Sequence, residues 1–164
     1  MATAAIRRAR ASAPSRQDIL RTLELTHPLW AAPYYLTTWT EPFTATLESG
    51  PTVTFIPFPF AVVLPTVDGA GQQNMQITLT NADREIADAV RLAHQDPTRR
   101  ISCVYREFLS DAKNAPQSAP LRLSFDSIQI GEESVTGVAG RSDVLNRKFP
   151  GIWYEVQHFP GLDR

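Results

Sequence analysis

Residues 74–109 carry the clearest local pattern in this sequence and limit what the chain can fold into. A first strand has one apolar face, formed by Met75, Ile77 and Leu79. Apolar residues then recur at helical spacing, at Ile86, Ala89, Val90 and Ala93. Asn81 is placed to cap that helix, and Pro97 is placed to stop it. Residues 100–109 return to a period of two, so the segment predicts a strand, a short helix and a strand.

The second strand of this unit contains the single cysteine of the chain. Cys103 alternates with Ile101 and Tyr105 on one side, whereas Val104 and Phe108 share the other side. We expect Cys103 to be a small buried hydrophobic residue and not a nucleophile. A single cysteine excludes a disulfide framework and a thiolate metal cluster within the chain.

Short runs rich in aromatic and β-branched residues predict further strands. They cover residues 19–26, 34–40, 43–48, 52–56, 121–130, 134–140 and 152–159. The runs at 34–40 and 43–48 fit two short strands or one bent strand. Pro57 and Pro59 lack backbone N–H donors, so the chain must follow an edge or a corner there.

Two irregular features are expected in the second half of the chain. Residues 110–120 are polar and contain two prolines, which predicts a long hairpin loop projecting from the body. The apolar residues of 121–130 change parity, which predicts a bulge near Asp126 or Ser127.

Together these elements predict a mainly β (α+β) protein. We expect a β-sandwich or partly open barrel, with one flanking helix crossing a sheet edge and an N-terminal helix. The 164 residues fit one domain at residues 16–164, preceded by a basic helical arm at residues 1–15. A net charge of −1 and a pI near 6.3 give no reason to expect specific nucleic-acid binding. The longest apolar run, residues 55–64, is too short for stable membrane insertion, so we expect a soluble protein.

The sequence contains no recognisable catalytic or cofactor motif. His27, His94 and His158 have no metal-ligand spacing, so each is expected to be exposed or hydrogen-bonded. The acidic residues near the predicted helix start, Asp83, Glu85 and Asp88, are explained by the helix dipole and by solvation. We therefore expect no enzyme activity, no catalytic residues, no cofactor and no metal.

Both ends of the chain are expected to contact other subunits. Residues 3–13 predict an Ala-rich helix too short to be stable alone, whose basic side chains would meet an acidic neighbour. Those side chains are Arg7, Arg8 and Arg10. Near the C-terminus, large apolar groups stand beside prolines at Phe149, Pro150, Phe159, Pro160 and Leu162. The alternative is that both ends fold back onto their own sheet.

Two C-terminal stretches, Leu-Asn-Arg-Lys-Phe-Pro at 145–150 and His-Phe-Pro-Gly-Leu at 158–162, resemble the closing signature of a known family. It is a family of small minor tail proteins of tailed bacteriophages and prophages. Residues 23–28, 53–64 and 77–109 are also similar to it, so nearly the whole chain after residue 15 is covered. The order of elements resembles the N-terminal part of lambda-type tail-tip proteins, with the shared pattern at Tyr105, Arg106, Phe108 and Leu109. The cysteine-rich region of those proteins is missing, so no iron–sulfur cluster is expected.

The resemblance implies a structural component of the distal tail, located in the virion and made in the host cytoplasm. It would form the tail-tip or baseplate hub ring that joins the tail tube to the central fibre. Its partners would be other tail-tip proteins, namely the distal tail ring, the central hub and the end of the tape measure. The protein would associate with itself as a trimer or hexamer.

Two other functional classes remain open from the sequence. A receptor-binding or carbohydrate-binding β-sandwich would expose an aromatic patch formed by Trp30, Tyr34, Tyr35 and Trp39. A cell-wall hydrolase would need a nucleophile or metal set that Cys103 and the dispersed histidines do not provide.

Overall fold

In a computed structural model of the protein, the described residues are 3–11, 18–64, 74–80, 84–96, 98–131 and 134–140. Two helices and nine strands lie in them. The helices are α1 (Ala4–Ala11) and α2 (Arg84–Ala93). The strands are β1 (Ile19–Thr26), β2 (Tyr34–Thr37), β3 (Phe43–Thr46), β4 (Thr52–Pro57), β5 (Phe60–Val63), β6 (Asn74–Thr80), β7 (Ser102–Leu109), β8 (Leu121–Ile130) and β9 (Ser134–Gly140). The mainly β prediction is confirmed.

All nine strands belong to one mixed sheet, in the order β3-β4-β2-β1-β7-β8-β9-β6-β5. Every neighbouring pair is antiparallel except β2 and β4, which are parallel. The sheet does not close into a barrel. The predicted strand, helix and strand of residues 74–109 all form, but β6 and β7 are separated in the sheet by β8 and β9.

Strand β7 lies near the middle of the sheet and is buried on both faces. Cys103 and Tyr105 belong to the larger hydrophobic cluster, whereas Phe108 belongs to a smaller cluster of different residues. The prediction that Cys103 and Tyr105 lie on one face of the strand and Phe108 on the other is therefore confirmed. A strand in this position has neighbours above and below, so its two charged residues, Arg106 and Glu107, are buried along with its apolar ones.

Helix α2 contributes Ile86, Val90 and Ala93 to the larger cluster, as its spacing predicts. The same cluster contains residues from strands as far apart in the sheet as β1 and β6. The helix thus packs on the main core of the sheet, and its predicted position across a sheet edge stays a prediction. Asn81 and Pro97, the expected helix signals, lie outside the described residues. No helix in the described ranges is long and apolar enough to cross a membrane.

The chain passes from one end of the sheet to the other through Phe58 and Pro59. The Phe58 N–H donates to the carbonyl of Thr37 at 2.8 Å, and the Thr80 N–H donates to the carbonyl of Pro59 at 3.0 Å. This is the corner predicted from the paired prolines. The alternative of two short strands at residues 34–48 is also confirmed, by β2 and β3.

The smaller cluster is aromatic and lies at the β3–β4 hairpin. Phe55 is fully buried there and contacts three rings, those of Tyr35, Phe43 and Phe108, with centroid separations of 5.3 to 5.8 Å. The hairpin turn uses Gly50 at a φ of 103°, a left-handed conformation that side chains with a Cβ disfavour. The turn thereby returns β4 alongside β3 and brings Phe55 opposite Phe43.

The register between β8 and β9 shifts between Phe125 and Ser127, so the predicted bulge is confirmed. The ring of Phe125 covers Gly137 on the neighbouring strand, because a Cβ at position 137 would collide with ring carbons Cδ1 and Cε1. Glycine is required at this position for packing and not for its backbone conformation.

Substituting Gly137→Ala should destabilise the protein by about 2 kcal/mol, because the buried ring of Phe125 has to move. Urea unfolding of the wild type and the variant measures the change. In a Phe125→Leu background the cost of Gly137→Ala should be smaller, since the smaller side chain frees space. Equal costs in both backgrounds would show that the collision is not the cause.

The loop at residues 110–120 does not project, contrary to the sequence prediction. The Gln117 N–H donates to the Glu107 carbonyl at 2.8 Å, and the Lys113 carbonyl accepts from the Thr46 N–H at 3.0 Å. The loop therefore folds back over the sheet. Backbone groups of a loop can be satisfied by adjacent strands as well as by water, and the sequence does not distinguish these outcomes.

Helix α1 packs against this folded loop. The Thr3 N–H donates to the Gln117 carbonyl at 2.9 Å, and Ile6 is fully buried. The helix was expected at residues 3–13 and is confirmed at Ala4–Ala11. The expectation that only a neighbouring subunit orders it is wrong, because contacts within the chain already bury its apolar side chain.

Candidate functional site

Arg106 is a buried cation near the centre of the sheet, with only 3% of its side chain exposed. Its Nη1 donates to Glu24 on β1 at 2.7 Å. Its Nε and Nη2 donate to the two carboxylate oxygens of Glu48, at 2.7 and 3.0 Å. This paired geometry ties the β3–β4 turn, which carries Glu48, to the middle of the sheet.

Arg122 completes the cluster from β8 by donating to Glu48 at 2.5 Å, although its side chain is 66% exposed. These four side chains line a cleft of about 450 Å³. Two cations and two carboxylates balance one another there. The hydrogen bond from Arg106 is the main cause that lowers the pKa of Glu48. The cluster therefore stabilises the fold and offers no uncompensated charge to a ligand.

Glu107 lies on the opposite face of β7 and is also buried. Its carboxylate accepts hydrogen bonds from the Tyr105 hydroxyl at 3.0 Å and from Ser118 at 3.3 Å. Arg10 of helix α1 donates to the same carboxylate at 2.5 Å. Burial, followed by the charge of Glu107, raises the pKa of Tyr105. The acidic group that receives Arg10 therefore lies in the same chain.

Among the predicted contact residues at the N-terminus, only Arg10 forms an ion pair in the described part of the chain. Arg7 and Arg8 are exposed. A role for these three arginines at a subunit interface stays a prediction. The Arg10 side chain is still 48% exposed.

Replacing Arg10 with glutamine should loosen helix α1 while the sheet stays folded. The reason is that Glu107 then loses its cation and a helix of this length is marginal alone. Hydrogen exchange of the α1 amides should become faster, and that of the β7 amides should not change. Arg8→Gln, on the exposed side of the same helix, is the matched control. Equal exchange in α1 for both variants would contradict an anchoring role for Arg10.

Cys103 is fully buried, as predicted, and burial raises the pKa of its thiol to about 12. His27 is buried and hydrogen-bonded, as expected: its Nδ1 accepts from the Leu29 N–H, so its Nε2 carries the proton toward the Arg99 carbonyl at 3.2 Å. His94 is exposed. Within the described ranges no group of three or more His, Cys, Asp or Glu side chains is arranged to hold a metal ion.

The two edges of the sheet differ in how they are covered. At the β3 edge the Thr46 N–H donates to the loop carbonyl of Lys113, so this edge is partly closed. At the other edge, the Thr80 N–H donates to the carbonyl of Pro59. In an antiparallel ladder the backbone groups of alternate residues face the partner strand, so the N–H and C=O groups of Phe60 and Val62 face away from β6. No backbone group among the described residues meets them there.

The β5 edge is also apolar. Phe60–Val63 contains no charged residue, Val63 is 62% exposed and the following Leu64 is 44% exposed. Proteins usually protect a sheet edge with charges, prolines or a covering loop, and an edge left apolar can accept another strand. Pro57 and Pro59 precede this strand and do not interrupt its outward groups.

A groove of about 710 Å³ lies between helix α2 and strands β2 and β4; we name it the α2 groove. Leu29, Ile56 and Leu92 line it and are 45%, 60% and 40% exposed. They are three of the six large hydrophobic side chains that are exposed in the described part of the chain. Such a concentration of exposed apolar side chains is typical of an interaction surface.

The aromatic residues considered for a ligand patch are partly buried and do not form one exposed surface. Trp30, Tyr34 and Tyr35 line the α2 groove, whereas Trp39 lies beside the prolines of the corner. The Trp30 indole N–H donates to the Ala89 carbonyl at 2.8 Å, and its ring meets Tyr34 edge-on. These contacts hold Trp30 in the wall between the helix and the sheet.

The predicted C-terminal contact residues Phe149, Pro150, Phe159, Pro160 and Leu162 lie outside the described residues, as do His158 and Asp83.

The sequence analysis did not predict that Arg106 and Glu107 are buried and paired with other charges. A usable signal was present, because a charged residue within an apolar strand has to find an opposite charge when both faces are covered. Strand β5 was not predicted, and its place at an edge of the sheet was missed because strand order is not readable from local pattern.

Comparison with known proteins identifies one family. The model of a domain of unknown function, DUF1833, matches residues 5–154, which include every described strand and the α2 groove. A comparison with curated proteins gave no match. Because the match covers most of the chain, this protein belongs to the DUF1833 family.

Proposed function

We propose that this protein is a structural component of the distal tail of a tailed bacteriophage, in the tail-tip or baseplate hub ring. The observation that carries the proposal is the apolar β5 edge, which no backbone group of the described residues covers and which suits addition of a strand from an adjoining subunit. The resemblance of the sequence to minor tail proteins supplies the tail as the location. The partners are other tail-tip proteins and further copies of the chain, arranged as a trimer or hexamer.

The distribution of charge supports an assembly role over catalysis. The buried ionic groups of the central strand, Arg106 and Glu107, are satisfied by partners within the chain. Their arrangement fixes the β3–β4 turn and helix α1 onto the sheet. A rigid body with an apolar edge and an apolar groove is suited to repeated lateral contacts.

Immunogold labelling of purified tails with an antibody against this protein tests the location. We expect gold at the distal tip, and native mass spectrometry of the purified protein with its tail neighbours should give trimers or hexamers. Label absent from the tails, or a protein that stays monomeric with those neighbours, would contradict the proposal. Binding on a glycan array without label in tails would favour the carbohydrate-binding alternative.

The β5 edge itself can be tested by Val62→Pro, which removes one outward N–H donor. Val62 is not fully buried, and its N–H points away from β6, so the fold should be kept. Association should be weakened. Ala61→Pro is the contrasting variant, because its N–H faces β6 and its loss should lower stability. Unchanged association of Val62→Pro would remove the β5 edge as the contact.

A further inference from the structure

The α2 groove has an acidic rim above its apolar floor. Both charged side chains in its lining are carboxylates, Glu85 and Asp88. Asp88 is already paired with Arg91 of the same helix at 2.7 Å. Glu85 accepts a hydrogen bond from the Tyr34 hydroxyl at 3.4 Å, and no basic side chain of the described residues pairs with it. An occupant should therefore be apolar and carry a basic group at one end.

Residues 147–153 of this chain have that chemistry. Arg147 and Lys148 are followed directly by Phe149 and, after a Pro-Gly pair, by Ile152 and Trp153. The segment lies inside the range matched by the family model and outside the described residues. Extended, it spans about 23 Å. That exceeds the length of α2, about 15 Å for ten residues, so the segment can run along the whole groove.

We propose that the α2 groove binds residues 147–153 of a neighbouring copy. In this arrangement Phe149 and Trp153 of one copy lie against the apolar floor of the next copy's groove. The basic pair Arg147 and Lys148 lies beside Glu85 of that groove. This inference rests on the proposed function, which requires contacts between copies. A groove on one copy and a segment on the next form a head-to-tail contact, and such contacts close into rings when the rotation permits.

Disulfide trapping between two variants, each with one added cysteine, tests the contact. One full-length variant carries Thr54→Cys, at an exposed position in the groove lining that leaves the apolar floor intact. The other carries Glu155→Cys, which keeps Phe149 and Trp153. The native Cys103 does not interfere, because it is fully buried. Circular dichroism first confirms that both variants are folded.

Mixing the two variants under mild oxidation should give the mixed disulfide dimer. The matched control replaces Thr54→Cys by Gln129→Cys, an exposed position on β8 that is not part of the groove. We expect about tenfold more mixed dimer with Thr54→Cys, because docking raises the local concentration of the two thiols. Equal yields for both pairs would overturn the proposal.

A double variant with both cysteines in one chain distinguishes the source of the segment. Cross-linked dimers and larger products are expected. A product that is only monomeric would overturn the proposal, since the groove would then be filled by its own chain. Adding Glu85→Gln should reduce the yield, and an unchanged yield would overturn the proposed charge pairing.

The outcome can be separated from that of the proposed function. If the cross-link fails while antibody labels the tail tip, the docking partner is wrong and the tail assignment stands. If the cross-link forms and no label is found in tails, the groove contact stands and the tail assignment is wrong.

Discussion

Replacing Arg106 with alanine should lower the free energy of unfolding by about 3 kcal/mol. The substitution leaves Glu24 and Glu48 close together without the cation that both contact. Removing one partner of a buried ion pair typically costs about 3 to 5 kcal/mol, and we expect the lower value. The reason is that the two carboxylates are 14% and 25% exposed, so water can partly solvate them. Urea unfolding followed by circular dichroism measures the loss.

Two controls make this experiment specific. Arg122→Ala removes the exposed cation of the same cluster and should cost less than about 1 kcal/mol. Arg106→Lys keeps the charge but loses the paired contact with Glu48, so its cost should lie between those of the two alanine variants. If Arg106→Ala is no more destabilising than Arg122→Ala, the cluster does not stabilise the fold as described.

The same cluster makes stability depend on pH in the acidic range. The folded pKa of Glu48 is lowered, so its contribution is fully present above the ordinary glutamate pKa of about 4.3 and is lost as pH falls through the folded value. Unfolding of the wild type between pH 6 and pH 3 should therefore show falling stability. Glu48→Gln should be less stable at pH 6 and should lose less on acidification. Parallel pH profiles would contradict this assignment.

Replacing Phe55 with alanine should lower the free energy of unfolding by about 4 kcal/mol. The side chain is fully buried and its ring contacts three other rings of the smaller cluster. The cavity left behind is lined by rigid aromatic groups, which limits how far the surroundings can close. Thermal and urea unfolding should both show the loss.

The neighbouring residue provides the control for that substitution. Ile56 points to the opposite face of β4 and is 60% exposed, so Ile56→Ala should change stability by less than about 1 kcal/mol. Similar losses for Phe55→Ala and Ile56→Ala would show that the smaller cluster is not a core. Because Ile56 lines the α2 groove, Ile56→Ala also tests the proposed groove contact without a large loss of stability.

Local patterns in the sequence predicted both helices and eight of the nine strands of the described residues. Strand β5 was not predicted, and the strand predicted at residues 152–159 lies outside the described residues. The period of two in β6, the helical spacing in α2 and the parity change at the β8 bulge each depend on residues close together in the chain. Proline chemistry likewise predicted the corner, since a missing N–H cannot continue a ladder: β4 ends at Pro57, and Pro59 lies between β4 and β5.

Only the tertiary structure decided the order of the strands and the identity of the surfaces. Local pattern does not specify that β7 lies between β1 and β8, and this position is what buries Arg106 and Glu107 and gives them partners distant in sequence. The same holds for the loop at 110–120, which partly closes the β3 edge, whereas no backbone group of the described residues covers the β5 edge. The physical reason is that these contacts join residues far apart along the chain, where the free energy depends on the whole packing and not on local preference.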